Sequence, residues 1–248
     1  MSGVPSGKEL VGYLPIGFPD FQSSVDAAVA LLDNGVTTLE LGIPYSDPVM
    51  DGPVIQAAAD ASLEAGFHLP HVFEAVALIR ARSDAPLYVM TYWNPILQYG
   101  VDRFADDFKA AGGTGLITPD ITPDAAAEWI ATSDRTGLDR VFLAAPTSTD
   151  DRLRMIASAS RGWVYAVSTM GVTGARDDVD AKAKALVPRI REAGAERVYV
   201  GIGISTAQQV AEVWGYADGA IVGSAIVRAI AQDGVTGAAR IAKVLSGG

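Results

Sequence analysis

The 248-residue chain is 49 % hydrophobic, holds 26 glycines and carries a formal net charge of −10. That charge argues against nucleic acid or an anionic membrane as the main partner, but leaves a phosphorylated small molecule open, because a local nest of N–H groups binds phosphate even on an acidic protein. There is no cysteine, which excludes disulfides, thiolate nucleophiles and Cys-based metal sites.

The first residues, Met1 to Leu10, hold no apolar signal core, and no apolar run reaches membrane-spanning length; a cytoplasmic protein without a membrane span is expected. A β-type run at Leu10–Leu14 precedes a helical pattern over Ser23–Asn34. Thr37–Gly42 is the second strand, followed by a long loop, Ile43 to Gln56, and a helix over His71–Ala81. Then come Leu87–Thr91 with Asp102–Ala111, Gly115–Thr118 with Pro123–Ala131, and Arg140–Ala144 with Asp150–Ala159. Trp163–Val167 leads to Ala181–Ala193, Arg197–Gly201 to Ala207–Val213, and Gly219–Val222 to a last helix near Gly237–Leu245. Glycines close several of these helices, at Asn34-Gly35, Gly112-Gly113, Thr136-Gly137 and Ala193-Gly194, and capping residues open others, as in Thr122-Pro123 and Ser205-Thr206.

Eight strands alternating with helices imply a parallel sheet, and about 250 residues is the usual length of a closed (β/α)8 barrel. The expectation is an α/β fold: a single (β/α)8 TIM barrel spanning residues 1–248, with extra short helices in its active-site loops. An open doubly wound sheet is the alternative. In a barrel the site lies on the loops that follow the strands. The loops after strands 2 and 6, Ile43 to Gln56 and Ser168 to Val179, are long, whereas the opposite loops are short glycine turns.

The second strand carries a carboxylate in an apolar run. Alternation puts Leu39, Leu41 and Ile43 on one face and Thr38, Glu40 and Gly42 on the other. With the apolar face toward the helices, Glu40 points into the barrel near its mouth. Burial raises a carboxyl pKa above about 4.3, the condition for proton transfer near neutral pH. A buried ion pair with Arg or Lys is the other reading of the same residue. Asp51 follows eleven residues later in Met50-Asp51-Gly52-Pro53; it is either a turn residue or a second carboxylate folded over the same mouth.

Three glycine-containing turns follow consecutive strands: Gly171-Val172-Thr173-Gly174, Gly201-Ile202-Gly203-Ile204-Ser205 and Gly223-Ser224-Ala225-Ile226. Together they have the composition of a phosphate cradle at helix N-termini. The two histidines, His68 and His71, are placed at a helix start away from the site, where they either share a metal or simply decorate a surface helix. No lysine falls on a strand or strand end, so a Schiff base is not expected. Carboxylates, backbone donors and the tyrosines Tyr13, Tyr92 and Tyr165 remain. The apolar stretch Tyr92–Tyr99 reads either as an interface or as a short helix packed on its own barrel.

These segments resemble the tryptophan synthase alpha chain family along nearly the whole chain. The resemblance rests on Leu39-Glu40-Leu41-Gly42-Ile43-Pro44-Tyr45-Ser46-Asp47-Pro48, Asp51-Gly52-Pro53-Val54-Ile55-Gln56, Tyr92-Trp93-Asn94-Pro95-Ile96, Pro119-Asp120 and the three glycine turns, in family order. It implies a lyase that cleaves indole-3-glycerol phosphate to indole and glyceraldehyde 3-phosphate in tryptophan biosynthesis. A stand-alone lyase releasing free indole is the alternative. Carried over, Glu40 is the general acid/base and Asp51 accepts the indole N–H. Tyr13, Ile55, Tyr92, Tyr165, Thr173 and Ile202 shape the substrate pocket. Gly174, Gly203, Gly223 and Ser224 hold the phosphate. The resemblance implies no metal and no cofactor in this chain, pyridoxal phosphate being expected only in a partner beta chain within an alpha2-beta2 hetero-tetramer. It also implies that Gly171 to Val179 closes on substrate. The chain departs from well-known members at Ile202, where they carry Phe, and at Thr169, where many carry Arg.

Overall fold

The computed structural model describes residues 3–167, 176–201 and 203–248, with the backbone alone over residues 176–180. The strands are β1 (Glu9–Pro15), β2 (Thr38–Gly42), β3 (Leu87–Met90), β4 (Gly115–Ile117), β5 (Asp139–Val141), β6 (Leu143–Ala144), β7 (Val164–Val167), β8 (Val198–Gly201) and β9 (Gly219–Val222). The helices are α1 (Phe21–Asp33), α2 (Pro53–Glu64), α3 (His71–Arg80), α4 (Trp93–Tyr99), α5 (Val101–Ala110), α6 (Ala127–Thr136), α7 (Asp150–Ala159), α8 (Arg176–Glu192), α9 (Ala207–Trp214) and α10 (Ser224–Ser246), with a 3-10 turn at Pro123–Ala125.

The strands pair in the order β5-β4-β3-β2-β1-β9-β8-β7-β6, and every named ladder is parallel. The two ends of this sheet, β5 and β6, are consecutive in sequence with only Phe142 between them. The sheet therefore comes back on itself, and the nearly closed barrel agrees with the eightfold expectation. The fifth strand, expected as one run over Arg140–Ala144, is divided: β5 serves β4 and β6 serves β7. Phe142 sits at the switch, its side chain buried in the layer between strands and helices.

Two apolar layers result from the alternation along the strands. Leu39, Leu41 and Ile43 of the β2 region pack outward against the helices in the main core. The inner layer holds Val11, Tyr88, Ile117, Val141, Trp163, Tyr199 and Ile221. Large rings fill the barrel because some facing positions are glycine: a Cβ on Gly219 would lie 2.6 Å from the Tyr199 ring. The interior below the mouth is a packed core rather than a channel.

Several helix boundaries differ from the expectation. The pattern over Pro123–Ala131 is a 3-10 turn followed by α6, which runs on to Thr136. The long loop after β2 carries α2 from Pro53, where proline suits the first helical turn. Tyr92–Tyr99 contains α4, with Pro95 in its first turn. The last helix is the second half of α10, which breaks at Asp233 and Gly234. The four glycines expected to close helices, Gly35, Gly112, Gly137 and Gly194, all adopt positive φ. Among the described residues no helix is long and apolar enough to cross a membrane.

Candidate active site

β1 and β2 pair in register, Tyr13 with Glu40 and Pro15 with Gly42. Both Tyr13 and Glu40 point inward, into a cavity at the C-terminal mouth of the barrel lined by Tyr13, Glu40, Met50, Asp51, Ile55, Met90, Leu143, Tyr165, Val167, Gly201, Gly203, Ile221, Gly223 and Ser224. Glu40 is 1 % exposed. Its Oε2 is buried with no hydrogen-bond partner among the described residues, and no described Arg or Lys forms a salt bridge with it. Burial, with the Asp51 charge second, pushes the Glu40 carboxyl up to about 8. The ion-pair reading of Glu40 finds no support in this geometry.

Asp51 lies in the loop between β2 and α2, and Gln56 Nε2 donates to its backbone carbonyl at 2.8 Å. Burial raises its carboxyl, while hydrogen bonding to the Tyr92 hydroxyl pulls the other way. The same hydroxyl accepts from the backbone N–H groups of Val49 at 3.1 Å and Met50 at 2.9 Å. Tyr92, expected as a pocket wall, is thus the post on which the Asp51 loop hangs. It opens α4, whose first N–H, at Trp93, donates to both carboxylate oxygens of Asp120 at 2.9 and 3.0 Å.

Tyr165 stands on β7 and Tyr13 on β1, and two glycines give their hydroxyls room. A Cβ on Gly42 would overlap the Tyr13 hydroxyl, and one on Gly201 would overlap the Tyr165 hydroxyl. Both phenols are held well above their ordinary pKa, by burial first and then by neighbouring charges: Asp51, then Glu40, for Tyr13, and Glu40 for Tyr165. They remain neutral donors at physiological pH.

Across the mouth, Gly203 adopts φ +70 and Gly223 caps the start of α10. Ser224 is the first residue of that helix, whose opening N–H groups lack helical carbonyl partners. Gly203, Gly223 and Ser224 share the cavity with Glu40 and Asp51. This arrangement offers backbone donors for an anion on one side and two carboxylates on the other.

The expected residues Tyr13, Glu40, Asp51, Ile55, Tyr165, Gly203, Gly223 and Ser224 come together here. Thr173, Gly174 and Ile202, and the Thr169 departure, lie outside the described residues, as does much of the expected closing segment Gly171–Val179. Met90, Leu143, Val167 and Ile221 also line the cavity and were not singled out from sequence; Met50 and Gly201, named there only within the Asp51 and Gly203 motifs, line it too. Strand alternation could have found Met90 and Leu143, since Met90 pairs with Gly42 and Leu143 with Tyr165. The histidine expectation needs correction. His71 packs on Phe21, 5.4 Å between ring centroids, and borders a small pocket with Gly17, just past β1. It therefore lies at the mouth end of the barrel, though outside the cavity, because a helix joining two parallel strands runs back antiparallel to them and starts at their C-terminal ends. Its Nδ1 accepts from the His68 N–H at 3.0 Å. Among the described residues no group of three metal-ligating side chains forms.

The family model described as tryptophan synthase alpha chain matches residues 4–246. The tryptophan synthase alpha chain of Leifsonia xyli is 66 % identical over 239 residues, covering 96 % of this chain and 92 % of that one. That of Bifidobacterium longum is 55 % identical over 223 residues, covering 90 % and 76 %. Among solved structures, Mycobacterium tuberculosis tryptophan synthase superposes with a TM-score of 0.91 at 47 % identity, covering 97 % of this chain and 91 % of that one. A chain of the tryptophan synthase α2β2 complex from Pyrococcus furiosus does so with 0.86 at 35 % identity, covering 96 % and 95 %.

Proposed function

Because the chain belongs to the tryptophan synthase alpha chain family, we propose that it is the lyase that splits indole-3-glycerol phosphate into indole and glyceraldehyde 3-phosphate, with Glu40 and Asp51 as its catalytic carboxylates. Glu40, with its pKa near 8, is protonated at neutral pH and gives its proton to indole C3. Asp51 accepts the indole N–H and stabilises the indolenine-like cation. The carboxylate left at position 40, buried and with no cation beside it among the described residues, is a stronger base than an exposed carboxylate. It takes the proton from the adjacent glycerol hydroxyl. The carbon–carbon bond breaks, its electron pair returns to the indole ring, and the hydroxyl carbon becomes the aldehyde. Glu40 ends protonated, ready for the next turnover. Protonated indole is the electron sink, so the chain works without a metal or cofactor of its own.

The observation that carries this reading is the unpartnered Glu40 Oε2 in a cavity shared with Asp51. The phosphate sits on the N–H groups around Gly203, Gly223 and Ser224, while Tyr13, Ile55 and Tyr165 hold the ring; Gly174 for the phosphate and Thr173 and Ile202 for the pocket are assigned by family resemblance alone.

The chain works as one barrel domain in the cytoplasm, partnered by a pyridoxal-phosphate-dependent beta chain that receives the indole, as an alpha2-beta2 assembly. Support comes from the relatives solved as complexes and from apolar side chains on the same rim: Val49 is 78 % and Leu97 48 % exposed. The test is lysis of indole-3-glycerol phosphate by the purified chain, with and without beta chain. Stimulation by the beta chain is expected; an equal rate with free indole released would favour a stand-alone lyase, and no lysis in either arm would overturn the reading.

A further inference from the structure

Tyr13 stands apart from the other rings of the barrel. It is directly across from Glu40 in the β1–β2 register. Its ring leans toward β2, so that the hydroxyl lies over Gly42, one inward position nearer the mouth than Glu40, where a side chain larger than glycine would overlap it. Asp51 comes down onto the same cavity from the loop that follows Gly42. The hydroxyl is therefore set between a carboxyl below it and a carboxyl above it. Among the described residues, the titratable groups facing it are Glu40 on β2, Asp51 on the β2–α2 loop, Tyr92 at the start of α4 and Tyr165 on β7. No cation is among them.

A phenol so placed can accept one hydrogen bond and donate one. We propose that Tyr13 is a positioning residue that sorts the proton between the two carboxyls: through bridging water, its oxygen accepts from the side of protonated Glu40 while its O–H donates toward ionised Asp51. The inference rests on the proposed lyase reading, in which Glu40 must start protonated and Asp51 ionised. Two carboxyls in one buried cavity otherwise compete for the same proton. A phenol can serve either direction, and the surroundings set which one is populated: Glu40 is the more deeply buried carboxyl, which favours its neutral form, while Asp51 also takes the hydrogen bond of the Tyr92 hydroxyl, which favours its charge, so the chain runs from Glu40 to Tyr13 to Asp51. Tyr13 itself stays neutral, because burial and both neighbouring charges oppose its ionisation.

The experiment is the pH dependence of kcat/KM for indole-3-glycerol phosphate, measured on the full chain as wild type and as Tyr13→Phe, which removes one oxygen and keeps the ring. The acidic limb reports ionisation of the pair to the active form and the basic limb its loss of the second proton. Without the hydroxyl, ionised Asp51 loses a donor, so the acidic limb moves up. Protonated Glu40 loses its acceptor, so the basic limb moves down. The bell narrows from both sides, by roughly one pH unit in all. Gly42→Ala, which keeps the tyrosine but pushes its hydroxyl out of place, narrows the bell in the same sense. Limbs unchanged in Tyr13→Phe, with only the height of the bell reduced, would overturn the proposal, and so would loss of fold in both variants, which would make the hydroxyl structural. A wild-type chain that does not cleave the substrate would defeat the lyase reading itself, a separate result.

Discussion

Glu9 and Glu40 stand on the inner faces of β1 and β2, and only Glu9 is visibly paired. Its Oε2 accepts from the Thr37 hydroxyl at 2.5 Å and the Thr38 hydroxyl at 3.1 Å, and Arg197 approaches its Oε1 at 3.4 Å. Glu40 carries its burial without such help, which is why its proton is held to about 8. Below the ordinary carboxyl pKa, folded and unfolded chains both keep the proton. Between about 4.5 and about 8 the folded chain keeps it and the unfolded chain has released it. Stability contributed by the neutral, buried carboxyl is therefore full at low pH and is lost as pH rises through that window, by at most about 1.4 kcal/mol per unit. Glu40→Gln removes this term. Its melting temperature relative to wild type is expected to rise steadily from pH 5 to pH 8.5; a difference that does not change with pH would contradict the assignment. Asp51→Asn is expected to fold as wild type by circular dichroism, because the amide oxygen can still accept from the Tyr92 hydroxyl, and to lower turnover, because the charge proposed to stabilise the indole cation is gone.

At the scale of elements, α10 shows how far a local pattern can mislead. Its sequence reads as a helix near the C-terminus, but the chain is helical from Ser224, breaks at Asp233–Gly234 and continues to Ser246. The two halves approach so closely that a Cβ on Gly237 would overlap the Ala229 carbonyl oxygen. Backbone cannot swing aside, so Gly237→Ala is expected to destabilise by about 1–3 kcal/mol in urea unfolding; a change within experimental error would show that the halves can part freely. The strand order and the inward aim of Glu40 were legible because alternation on β2 depends on neighbours two residues apart. What was not legible depends on distant partners. Nothing local in Arg140–Ala144 says that its two halves serve different neighbours. The short-helix reading of Tyr92–Tyr99 is met by α4, whose Pro95 sits in the first turn where proline is tolerated. The Tyr92 hydroxyl was read as pocket wall because its bonds go back more than forty positions, to the N–H groups of Val49 and Met50. The end of the barrel that holds His71 was legible and was misassigned: a helix between two parallel strands starts at their C-terminal ends, on the mouth side.

At the scale of the whole molecule, the mouth of the barrel does two things at once. Its interior side gathers carboxylates and backbone donors; its outer rim carries Val49 and Leu97 with their side chains in water. The two are joined through Tyr92, which opens α4, the helix bearing Leu97, and holds the Asp51 loop. Leu97→Asp puts a charge on the rim without touching the cavity. It is expected to weaken beta-chain binding about tenfold, roughly 1.4 kcal/mol, with lysis by the isolated chain unchanged; unaltered affinity in titration calorimetry would move the interface elsewhere. Burial in the barrel mouth, which raises the Glu40 carboxyl to about 8, is what we propose keeps a proton on it for the substrate. Steady-state lysis of indole-3-glycerol phosphate by Glu40→Gln against wild type, at pH 7 with saturating beta chain, tests it most directly. A loss of about 10²–10⁴ in kcat is expected for a residue that moves protons in the transition state; a variant that keeps activity within about tenfold of wild type would contradict it.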